Sequence, residues 1–386
     1  MRYFLVAGEA SGDNLGALLV DEIRALDPAA EFAFWGGDGL AAATGVAPRQ
    51  HLRDLAFMGF AEVVANLPTI LRLMRRAKAD VAAYAPDVLV CIDYPGFNLR
   101  LGKWAKARGI RVDFYVSPQI WAWRRGRVHK VIASTHRVLT ILPFEAAFYA
   151  SYGYEVSYTG HPLPKRIDHY TAAPELSVRD AAGARTVAGP VLALLPGSRQ
   201  QEVRALLPVM LAATEALLAG GIDVTPVVAA APTLSDDTLL RLSRKHGVCW
   251  SRSSYEVLAH ARLACVASGT ATLETALFGV PQVVCYRAGA VSVALARHLI
   301  KVPYIALVNL ILDGPVVPEL IQDALTPEAL AAELRELAEG DARAEQLGAY
   351  EMLRAELAPY EAARAAAELV VADAQAVENR RSEPSA

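Results

Sequence analysis

The sequence lacks the cysteine and histidine patterns that mark disulfide-bonded and zinc proteins. Its four cysteines form no C-x-x-C pair, and each lies in or beside an apolar run. This usage predicts reduced, buried thiols in a cytosolic protein. His129, His136 and His161 are not spaced as metal ligands, and no D-x-D pair is present to chelate a cation. We therefore predict no metal and no other cofactor.

An excess of positive charge is also missing. Lys and Arg number 38 against 41 Asp and Glu, which gives a net charge of −3, so we predict no nucleic-acid partner. Hydrophobic residues make up 54% and charged residues 20% of the chain, as is typical of a well-buried α/β protein and not of a disordered one. Met1 and Arg2 lead directly into an apolar strand, with no signal-peptide pattern.

The chain has no uninterrupted apolar run of membrane-spanning length. Within residues 263–286 the only charged side chain is Glu274. However, Gly269, Gly279 and Pro281 divide this stretch. The pieces have the lengths of a strand, a helix and a second strand, so we predict no transmembrane helix there.

The two commonest nucleotide-binding loops are absent. The first apolar run, residues 3–7, is followed by GEASGDNLG (8–16), in which three glycines are spaced four residues apart. This spacing matches neither G-x-G-x-x-G nor the P-loop, which disfavours an NAD-dependent oxidoreductase. Glu9 and Asp13 also place acids where a phosphate would favour cations. No G-x-S-x-G is present either.

What the sequence does contain is a regular alternation of strand-like and helix-like segments. Strands are predicted at 2–7, 31–35, 87–92, 111–116, 137–142, 191–195, 223–229, 263–267 and 282–286. Helices are predicted at 13–26, 60–84, 97–108, 145–152, 200–219, 235–246 and 270–278. Such alternation predicts βαβ units and parallel sheets.

The alternation fades over residues 160–188, which we interpret as a linker between two domains. We predict an α/β fold with two doubly wound, Rossmann-like domains that face a central cleft, at 1–180 and 188–340. Helices at 341–375 would brace the domains or mediate a dimer, and residues 376–386 would be a frayed tail. In such sheets ligands bind beyond the carboxyl ends of the strands.

In the second half, LLPGSRQQEV follows a predicted strand. Gly197 would free the turn, and Ser198 would cap the helix that begins near Arg199. A helix N-terminus attracts phosphate, and the donor fork of Arg199 suits a diphosphate. Glu202 lies one turn further on. An ordinary strand–turn–helix corner accounts for this stretch equally well.

A similar corner, VASGTATLETALFGVP, begins at residue 266. Ser268, Gly269 and Thr270 place small residues and hydroxyls at a helix start, and Glu274 follows about one turn later. The Glu274 carboxylate would accept the two hydroxyls of a ribose, or it is a capping acid favoured by the helix dipole. Two corners of this kind in one domain together indicate a nucleotide-diphosphate-sugar site.

The loops of the first half are acidic and aromatic instead. CIDYPGFN places Asp93 at the end of an apolar strand, as a general-base candidate or as a cap for the next turn. SPQIWAWR brings Trp121 and Trp123 close together after another strand, either to contact a sugar or an apolar pocket or as core residues.

These motifs, taken in order, resemble the lipid-A-disaccharide synthase family. The resemblance rests on VAGEASGD, LAFMGFAEV, IDYPGFN, SPQIWAWR, LPFE, TGHP, LPGSR with Glu202, ASGTATLE and the region of Asn309. It covers residues 5 to about 321. It implies a GT-B-type inverting glycosyltransferase that joins UDP-2,3-diacylglucosamine to 2,3-diacylglucosamine 1-phosphate (lipid X). The products would be the β-1,6-linked lipid A disaccharide 1-phosphate and UDP.

The resemblance also implies roles for individual residues. Asp93 corresponds to the proposed base, with Glu9 and Arg199 as further catalytic residues. On the acceptor side it implies Ser11, Gly12, Asp13, Met58, Gln119 and Trp121. On the donor side it implies Gly197, Ser198, Arg199, Glu202, Ser268, Gly269, Thr270, Thr272, Glu274 and Asn309.

The chain departs from the family pattern at three places. Gly96 stands where many relatives have a second Asp, so that position is not essential here. DGPVVPEL (313–320) lacks the Gly-Arg pair that many relatives have after the Asn, so the resemblance implies no arginine contact from this segment. FWGGDGL (34–40) differs from the commoner GGxxM form.

The acylated substrates implied by the resemblance predict peripheral association with the cytoplasmic face of the inner membrane. Residues 61–80 suit this role as a basic amphipathic stretch, although an ordinary surface helix fits the same pattern. Its apolar side chains are Leu67, Ile70, Leu71 and Met74, and its cations are Arg72, Arg75, Arg76 and Lys78. Residues 291–312 are a second candidate.

Two other functions stay open at this point. One is a different GT-B enzyme, such as a UDP-GlcNAc epimerase or another glycosyltransferase. The other is a non-catalytic protein that binds a UDP-sugar or a lipid. The oligomeric state, including a homodimer, is also left open by the sequence.

Overall fold

The computed structural model describes residues 1–54, 67–123, 125–289 and 302–382, without the side chains of Asp54, Leu67, Trp123 and Ser382. The chain divides into two compact units. Unit 1 contains Met1–Pro162 and Leu357–Ala386, and unit 2 contains Leu163–Glu356.

Unit 1 is built on a parallel sheet with the strand order β3-β2-β1-β4-β5-β6-β7. Its strands are β1 (Arg2–Ala7), β2 (Glu31–Gly36), β3 (Gln50–His51), β4 (Val88–Ile92), β5 (Arg111–Tyr115), β6 (Arg137–Thr140) and β7 (Ser157–Tyr158). Its helices are α1 (Ala10–Leu26), α2 (Asp38–Thr44), α3 (Leu67–Tyr84), α4 (Pro95–Lys106), α5 (Ile120–Trp123), α6 (Val128–Ser134), α7 (Phe144–Ala150) and the C-terminal helix (Ala362–Ser382).

The central strands of unit 1 are buried on both faces, which explains their continuous apolar runs. Helices α3 and α4 pack in the core on one side, while α1 and the C-terminal helix share the core on the other. Gly16 lets α1 approach the sheet closely, because a Cβ there would lie 2.9 Å from Cδ1 of Ile92. One of the three glycines of the GEASGDNLG stretch thus lies within α1 and is explained by helix–sheet packing.

Unit 2 is built on a sheet with the order β15-β14-β13-β10-β11-β12-β8-β9. Its strands are β8 (Leu176–Asp180), β9 (Gly183–Val187), β10 (Val191–Leu195), β11 (Thr225–Ala229), β12 (Cys249–Ser251), β13 (Ala261–Ala267), β14 (Gln282–Tyr286) and β15 (Glu319–Ile321). Its helices are α8 (Leu163–Asp168), α9 (Gln200–Ala219), α10 (Asp236–His246), α11 (Ser254–Ala259), α12 (Thr270–Leu277), α13 (Leu307–Ile311), α14 (Pro327–Glu339) and α15 (Ala342–Leu357). The pairs are parallel except β8 with β9 and β12 with β8.

The structure confirms the main strands predicted from the alternation and corrects the interpretation of residues 160–188. This stretch contains α8 and the antiparallel hairpin β8–β9, not only a linker. The hairpin lies at a sheet edge, and all residues of β9 except Val187 are exposed. Edge strands of this kind lack the apolar run that marks a central parallel strand.

The compact units also divide the chain at other positions than the sequence predicts. The boundary lies between Pro162 and Leu163, and the C-terminal helix belongs to unit 1. That helix continues to Ser382, beyond residue 376 where a frayed tail is expected. It is anchored because Ala366, Val370 and Ala374, spaced four residues apart, are fully buried in the unit 1 core.

Two further sequence predictions are tested by the described residues. All four cysteines are free and buried, as predicted. None of the helices in the described ranges combines the length and apolarity that crossing a bilayer requires.

Candidate active site

The strand order of unit 1 brings three predicted loops to one edge of the sheet. Ala7 at the end of β1 pairs with Ile92 at the end of β4, and Ile92 pairs with Tyr115 at the end of β5. The loops that carry Glu9, Asp93 and Gln119 therefore leave neighbouring parallel strands at their carboxyl ends. This is the edge at which open α/β sheets bind ligands.

Asp93 lies on a tight elbow between β4 and α4. Asp93 and Tyr94 both adopt left-handed backbone conformations, with φ values of 47° and 53°. Two successive non-glycine residues in this region store strain that the surrounding structure must hold. The Asp93 amide donates to the Tyr115 carbonyl at 2.9 Å.

The buried Asn98 holds the same elbow from the helix side. Its Nδ2 donates to the carbonyl of Asp93 at 2.8 Å, and it also lies within 3.2 Å of the Val6 carbonyl and 3.3 Å of the Ile92 carbonyl. One amide thus ties the end of β1 to the end of β4. The geometry presents Asp93 at a fixed position after its strand.

The electrostatics of Asp93 suit a general base. Burial raises the pKa of its carboxyl to about 6, with a further contribution from the negative charge of Glu9 and a smaller opposing one from the Tyr94 amide. A carboxylate with this pKa is ionised at neutral pH and is more basic than an ordinary Asp. Glu9 acts from the neighbouring loop, because Ala7 at the end of β1 pairs with Ile92 at the end of β4.

Tyr94 packs directly against the first loop. A Cβ on Gly8 would lie 2.4 Å from the Tyr94 ring, so only glycine fits at that position. Burial raises the pKa of the Tyr94 hydroxyl to about 12. Gly8 therefore serves the packing of the two loops against each other.

The structure gives Asp13 a different role from acceptor binding. The side chain is 4% exposed, and its oxygens accept from the amides of Gly37 at 2.5 Å and Gly39 at 2.9 Å. A Cβ on Gly36, Gly37 or Gly39 would meet the Asp13 carboxylate within 3 Å. Asp13 thus caps the start of α2 from α1, and the glycines of FWGGDGL make room for it.

Trp121 is likewise placed in the core of its loop and not at a rim. It is 5% exposed, its Nε1 donates to Oε1 of Glu145 at 3.1 Å, and its ring meets Phe144 edge-on at 4.8 Å. Gln119 is exposed beside it. The side chain of Trp123 lies outside the described part of the structure.

The remaining residues predicted on the acceptor side also differ in their exposure to solvent. Ser11 is exposed at the first turn of α1. Gly12 is buried, and a Cβ there would make ordinary contact with Ile92 at 3.5 Å. Met58 lies outside the described residues.

Glu145, in the LPFE motif, anchors the loop after β5. It is fully buried, and its second oxygen accepts from the Leu142 amide at 3.2 Å. Burial raises the pKa of its carboxyl to about 8 against the opposing effect of these hydrogen bonds. Glu145 therefore orders the segment that carries Gln119 and Trp121.

The two phosphate-type corners of unit 2 lie side by side. Leu195 at the end of β10 pairs with Val266 near the end of β13. The LPGSR loop and the ASGT loop thus leave adjacent parallel strands at the same edge. The sequence predicts each corner, and the sheet order brings them together.

Arg199, not Ser198, occupies the N-cap position of α9, which corrects the predicted cap. The Glu202 carboxylate accepts from the Arg199 amide at 3.2 Å, which completes a capping box. Gly197 has φ 95°, and a Cβ there would lie 2.5 Å from Oε2 of Glu202. Ser198 is exposed, and the Thr233 hydroxyl donates a hydrogen bond to its carbonyl.

The Arg199 side chain projects from this corner into solvent. It is 83% exposed, and its described contact is an ion pair with Glu202 at 3.4 Å. Glu202 therefore holds the loop, while the Arg199 guanidinium lies largely in solvent.

In the second corner, two of the predicted hydroxyls are used internally. Ser268 Oγ donates to the Ile305 carbonyl at 2.9 Å, and Thr272 Oγ1 donates to the Gly269 carbonyl at 2.8 Å. Gly269 has φ 145° at the N-cap of α12, and Thr270 is exposed at its first position. Thr270 and the backbone of this loop are the parts open to a ligand.

Glu274 lies against an aromatic cluster and does not cap its helix. Tyr255 donates its hydroxyl to Oε1 of Glu274 at 3.0 Å, and the Arg166 guanidinium lies 5.2 Å from the Tyr255 ring centroid. Burial raises the pKa of Glu274, while Tyr255 and Arg166 oppose the shift. Tyr170 and Phe278 pack edge-on against Tyr255.

Asn309 is 1% exposed and holds the loop that follows it. Its Nδ2 donates to the Val317 carbonyl and to Oε1 of Glu319, both at 2.9 Å, and its Oδ1 accepts from the Val317 amide at 2.8 Å. Glu319 in turn accepts from the amides of Ile305 and Ala306. Asn309 therefore orders the DGPVVPEL segment through internal hydrogen bonds.

Sequence reasoning did not assign roles to several residues that shape these sites: Tyr94, Asn98, Glu145, Arg166, Tyr255 and Glu319. Asn98, Glu145 and Glu319 each carry a polar side chain inside an otherwise apolar stretch, and that signal was available. Arg166 and Tyr255 are distant from Glu274 in sequence, so only the fold brings them together. Among the described residues no three His, Cys, Asp or Glu side chains are grouped to hold a metal ion.

The lipid-A-disaccharide synthetase family model matches residues 3–372. This chain belongs to that family. The lipid-A-disaccharide synthase of Myxococcus xanthus is 40% identical over 374 residues, which cover 96% of this chain and 97% of the relative. That of Syntrophus aciditrophicus is 42% identical over 335 residues, 86% of each chain. The family predicted from the ordered motifs is confirmed, and with it the assignment to lipid A disaccharide synthesis.

Solved structures of low sequence identity show the same fold as this member of the family. The glycotransferase of kitacinnamycin aligns with a TM-score of 0.65 at 18% identity, over 96% of this chain and 98% of that one. A putative UDP-N-acetylglucosamine 2-epimerase from Listeria monocytogenes also has a TM-score of 0.65, at 12% identity, over 99% of this chain and 97% of that one. The predicted GT-B class with two Rossmann-like domains is confirmed.

Proposed function

We propose that this chain joins UDP-2,3-diacylglucosamine to 2,3-diacylglucosamine 1-phosphate, forming the β-1,6-linked disaccharide 1-phosphate and UDP. The family match over residues 3–372 carries the proposal. The two sets of loops at the carboxyl edges of the two sheets support it. One set carries Asp93, a carboxylate whose pKa is about 6, and the other carries the exposed Arg199 beside two helix starts.

Asp93 is the general base of the proposed reaction. It takes the proton of the acceptor's 6-hydroxyl while that oxygen forms a bond to the anomeric carbon of the donor. The bond from the anomeric carbon to the diphosphate breaks, and UDP leaves with the electron pair. A positioned base of this kind contributes roughly 10²–10⁴-fold to the rate. The pKa of about 6 keeps Asp93 ionised at cytosolic pH.

Arg199 and the adjacent helix starts stabilise the departing diphosphate. Backbone amides at the N-termini of α9 and α12 favour anions, and the Arg199 guanidinium donates in a planar fork. Gly197, Ser198, Gly269 and Thr270 form the surface that the diphosphate approaches. In this proposal the charge on the leaving group is met by protein donors.

Glu274 accepts the hydroxyls of the ribose in the proposed complex. Tyr255 donates to Oε1 of Glu274 and so leaves the second oxygen for the ligand.

Four other residues predicted on the donor side act indirectly, because their polar groups hold the surrounding loops. They are Glu202, Ser268, Thr272 and Asn309. On unit 1, Glu9 raises the pKa of Asp93 through its negative charge. The exposed Ser11 and Gln119 are the proposed contacts of the acceptor on that unit.

A mass-spectrometric assay tests this proposal. Purified protein is incubated with both acylated substrates in the presence of EDTA, and the disaccharide 1-phosphate and UDP are quantified. We expect both products from the wild-type chain and a loss of roughly 10²–10⁴-fold in Asp93→Asn. If no disaccharide forms although UDP binds by calorimetry, the substrate assignment is wrong. A different acceptor or a binding protein would then be favoured.

We also propose that α3 contacts the membrane surface through a basic face. Leu71 is 52% exposed, and Arg72 and Arg75 are exposed with it, whereas Met74 is buried in the unit 1 core. The apolar part of the predicted amphipathic stretch is thus divided between core and solvent. A basic face beside an exposed leucine suits an anionic interface.

Flotation with anionic vesicles tests this surface. Arg72→Gln combined with Arg75→Gln removes two cations whose described contacts stay within α3, and we expect reduced flotation. Arg76→Gln is the contrasting variant, because Arg76 holds the Arg49 carbonyl at 2.8 Å and serves the fold. Unchanged flotation of the double variant would reject the surface. Residues 61–66 and 291–301 of the two candidate segments lie outside the described residues.

A further inference from the structure

A second concave site lies at the opposite edge of the unit 1 sheet from Asp93. Arg111 begins β5 and His136 directly precedes β6, so both lie at the amino ends of strands, whereas Asp93 follows a carboxyl end. The last turns of the C-terminal helix cover the same edge. A pocket of about 360 Å³ lies there. It is lined by Gly109, Arg111, His136, Val377, Arg380 and Arg381.

One carboxylate beside this pocket is shared by two arginines. The Asp373 carboxylate forms ion pairs with Nη2 of Arg111 at 2.5 Å and with Nε of Arg137 at 2.6 Å. Asp113 lies 3.2 Å from Arg111 but is fully buried. Burial and the neighbouring Asp373 raise the pKa of Asp113 well above its usual range, against the opposing charges of Arg111 and Arg137.

His136 lines the pocket with a neutral imidazole ring. Its Nδ1 accepts from the Val112 amide at 3.0 Å, so the neutral ring carries its proton on Nε2. Burial lowers the pKa of His136 to about 4, and the positive charges of Lys106, Arg111 and Arg380 lower it further. His136 is therefore a neutral donor, with three cations and the Asp373 carboxylate near it.

Arg380 is the cation that the fold does not use. Its side chain is exposed, and within the described ranges its guanidinium makes no hydrogen bond or ion pair with another residue. Arg381, in contrast, pairs with Asp87. The C-terminal helix is already held by Asp373 and by its buried apolar residues. Docking of this helix thus accounts for Asp373 and Arg137 but not for Arg380.

We propose that this pocket binds a phosphate-type anion, either free in solution or carried by a lipid headgroup. Arg380 supplies an unpaired guanidinium fork and His136 supplies a neutral N–H donor, while Arg111 and Arg381 line the pocket as members of ion pairs. Planar guanidinium groups match the oxygens of a phosphate in this way. The site lies on the edge of unit 1 away from Asp93, so it is separate from the proposed base.

Calorimetry at low ionic strength with inorganic phosphate tests the site in the full-length protein. Arg380→Gln is expected to weaken binding by about tenfold or more, because it removes charge-assisted hydrogen bonds. Arg380→Lys keeps the charge and should retain part of the affinity. Arg241→Gln, an exposed arginine of α10 in unit 2, is the matched charge control. Arg199→Gln removes a phosphate contact of the donor loops and should leave the Arg380-dependent part of the binding intact, which separates the pocket from those loops.

A second arm uses phosphatidylglycerol vesicles, with phosphatidylcholine vesicles as the neutral reference. Phosphate binding that depends on Arg380 supports the site with a free anion as ligand. If free phosphate does not bind, loss of vesicle binding in Arg380→Gln but not in Arg241→Gln supports a headgroup. If neither ligand binds, or if the Arg380 and Arg241 variants behave alike, the proposal is overturned. Coincident thermal melts of wild type and Arg380→Gln establish that the fold is intact.

Discussion

Replacing Asp93 by Asn should abolish most of the activity and at the same time stabilise the protein. Burial and the charge of Glu9 raise the pKa of Asp93 from 3.8 to about 6. At 1.36 kcal/mol per pH unit, holding this carboxylate ionised in the folded state costs about 3 kcal/mol at pH 8. Asparagine removes that charge. It is also among the residues that best tolerate the left-handed backbone at this position.

The pH dependence of this effect has a definite sign. Between pH 3.8 and about 6 the folded chain retains the Asp93 proton while the unfolded chain releases it, so stability falls as the pH rises through this range. The cost is constant above pH 6 and vanishes below pH 4. Asp93→Asn should therefore be more stable than wild type by about 3 kcal/mol at pH 8, with a difference that shrinks to nearly zero at pH 4.

Urea unfolding at several pH values, together with turnover by mass spectrometry, measures both effects. Asp21→Asn, an exposed carboxylate on α1, is the matched control and should change stability by no more than about 0.5 kcal/mol. A variant no more stable than wild type at pH 8 would contradict the inferred desolvation of Asp93. Near-normal turnover would refute its role as the base.

Three further predictions follow from the described contacts. Glu9→Gln should move the acid limb of the kcat/KM profile to lower pH, because the Glu9 charge raises the pKa of Asp93; an unmoved limb would show that Glu9 does not tune the base. Arg199→Ala should lower kcat by about 10²–10³-fold. Its urea midpoint should not change, since the side chain is 83% exposed, and wild-type kcat would exclude a role in leaving-group stabilisation. Asp13→Asn should destabilise the fold by about 1–3 kcal/mol in urea, because the new amide group faces the N–H donors of Gly37 and Gly39. Unchanged stability would mean that this cap is dispensable.

The sequence by itself determined the local features of this protein. The apolar runs predicted the central strands, because parallel strands covered on both faces cannot include exposed polar residues. The loops at Asp93, Arg199 and Ser268 were recognisable because strand ends, glycine turns and helix starts are encoded within about ten residues. The order of the motifs was sufficient to identify the family.

The roles of polar side chains depended on partners that are distant in sequence. Asp13 lies in the loop region where the sequence predicts an acidic side chain at the binding site. However, three glycines more than 20 residues away leave room for its carboxylate, and the Gly37 amide donates to it. Trp121 has the pattern of a sugar platform, but Glu145 and Phe144 bury it. A short motif does not contain the information that decides whether its polar group points to solvent or to another loop.

Only the tertiary structure decided which loops act together. The order of the strands places the loops of Glu9 and Asp93 at one edge, and the pairing of β10 with β13 joins the two corners of unit 2. The edge hairpin β8–β9 and the return of the C-terminal helix to unit 1 were likewise not predictable from local pattern. Both depend on the burial of apolar faces against residues far along the chain, and that burial exists only once the sheets are assembled.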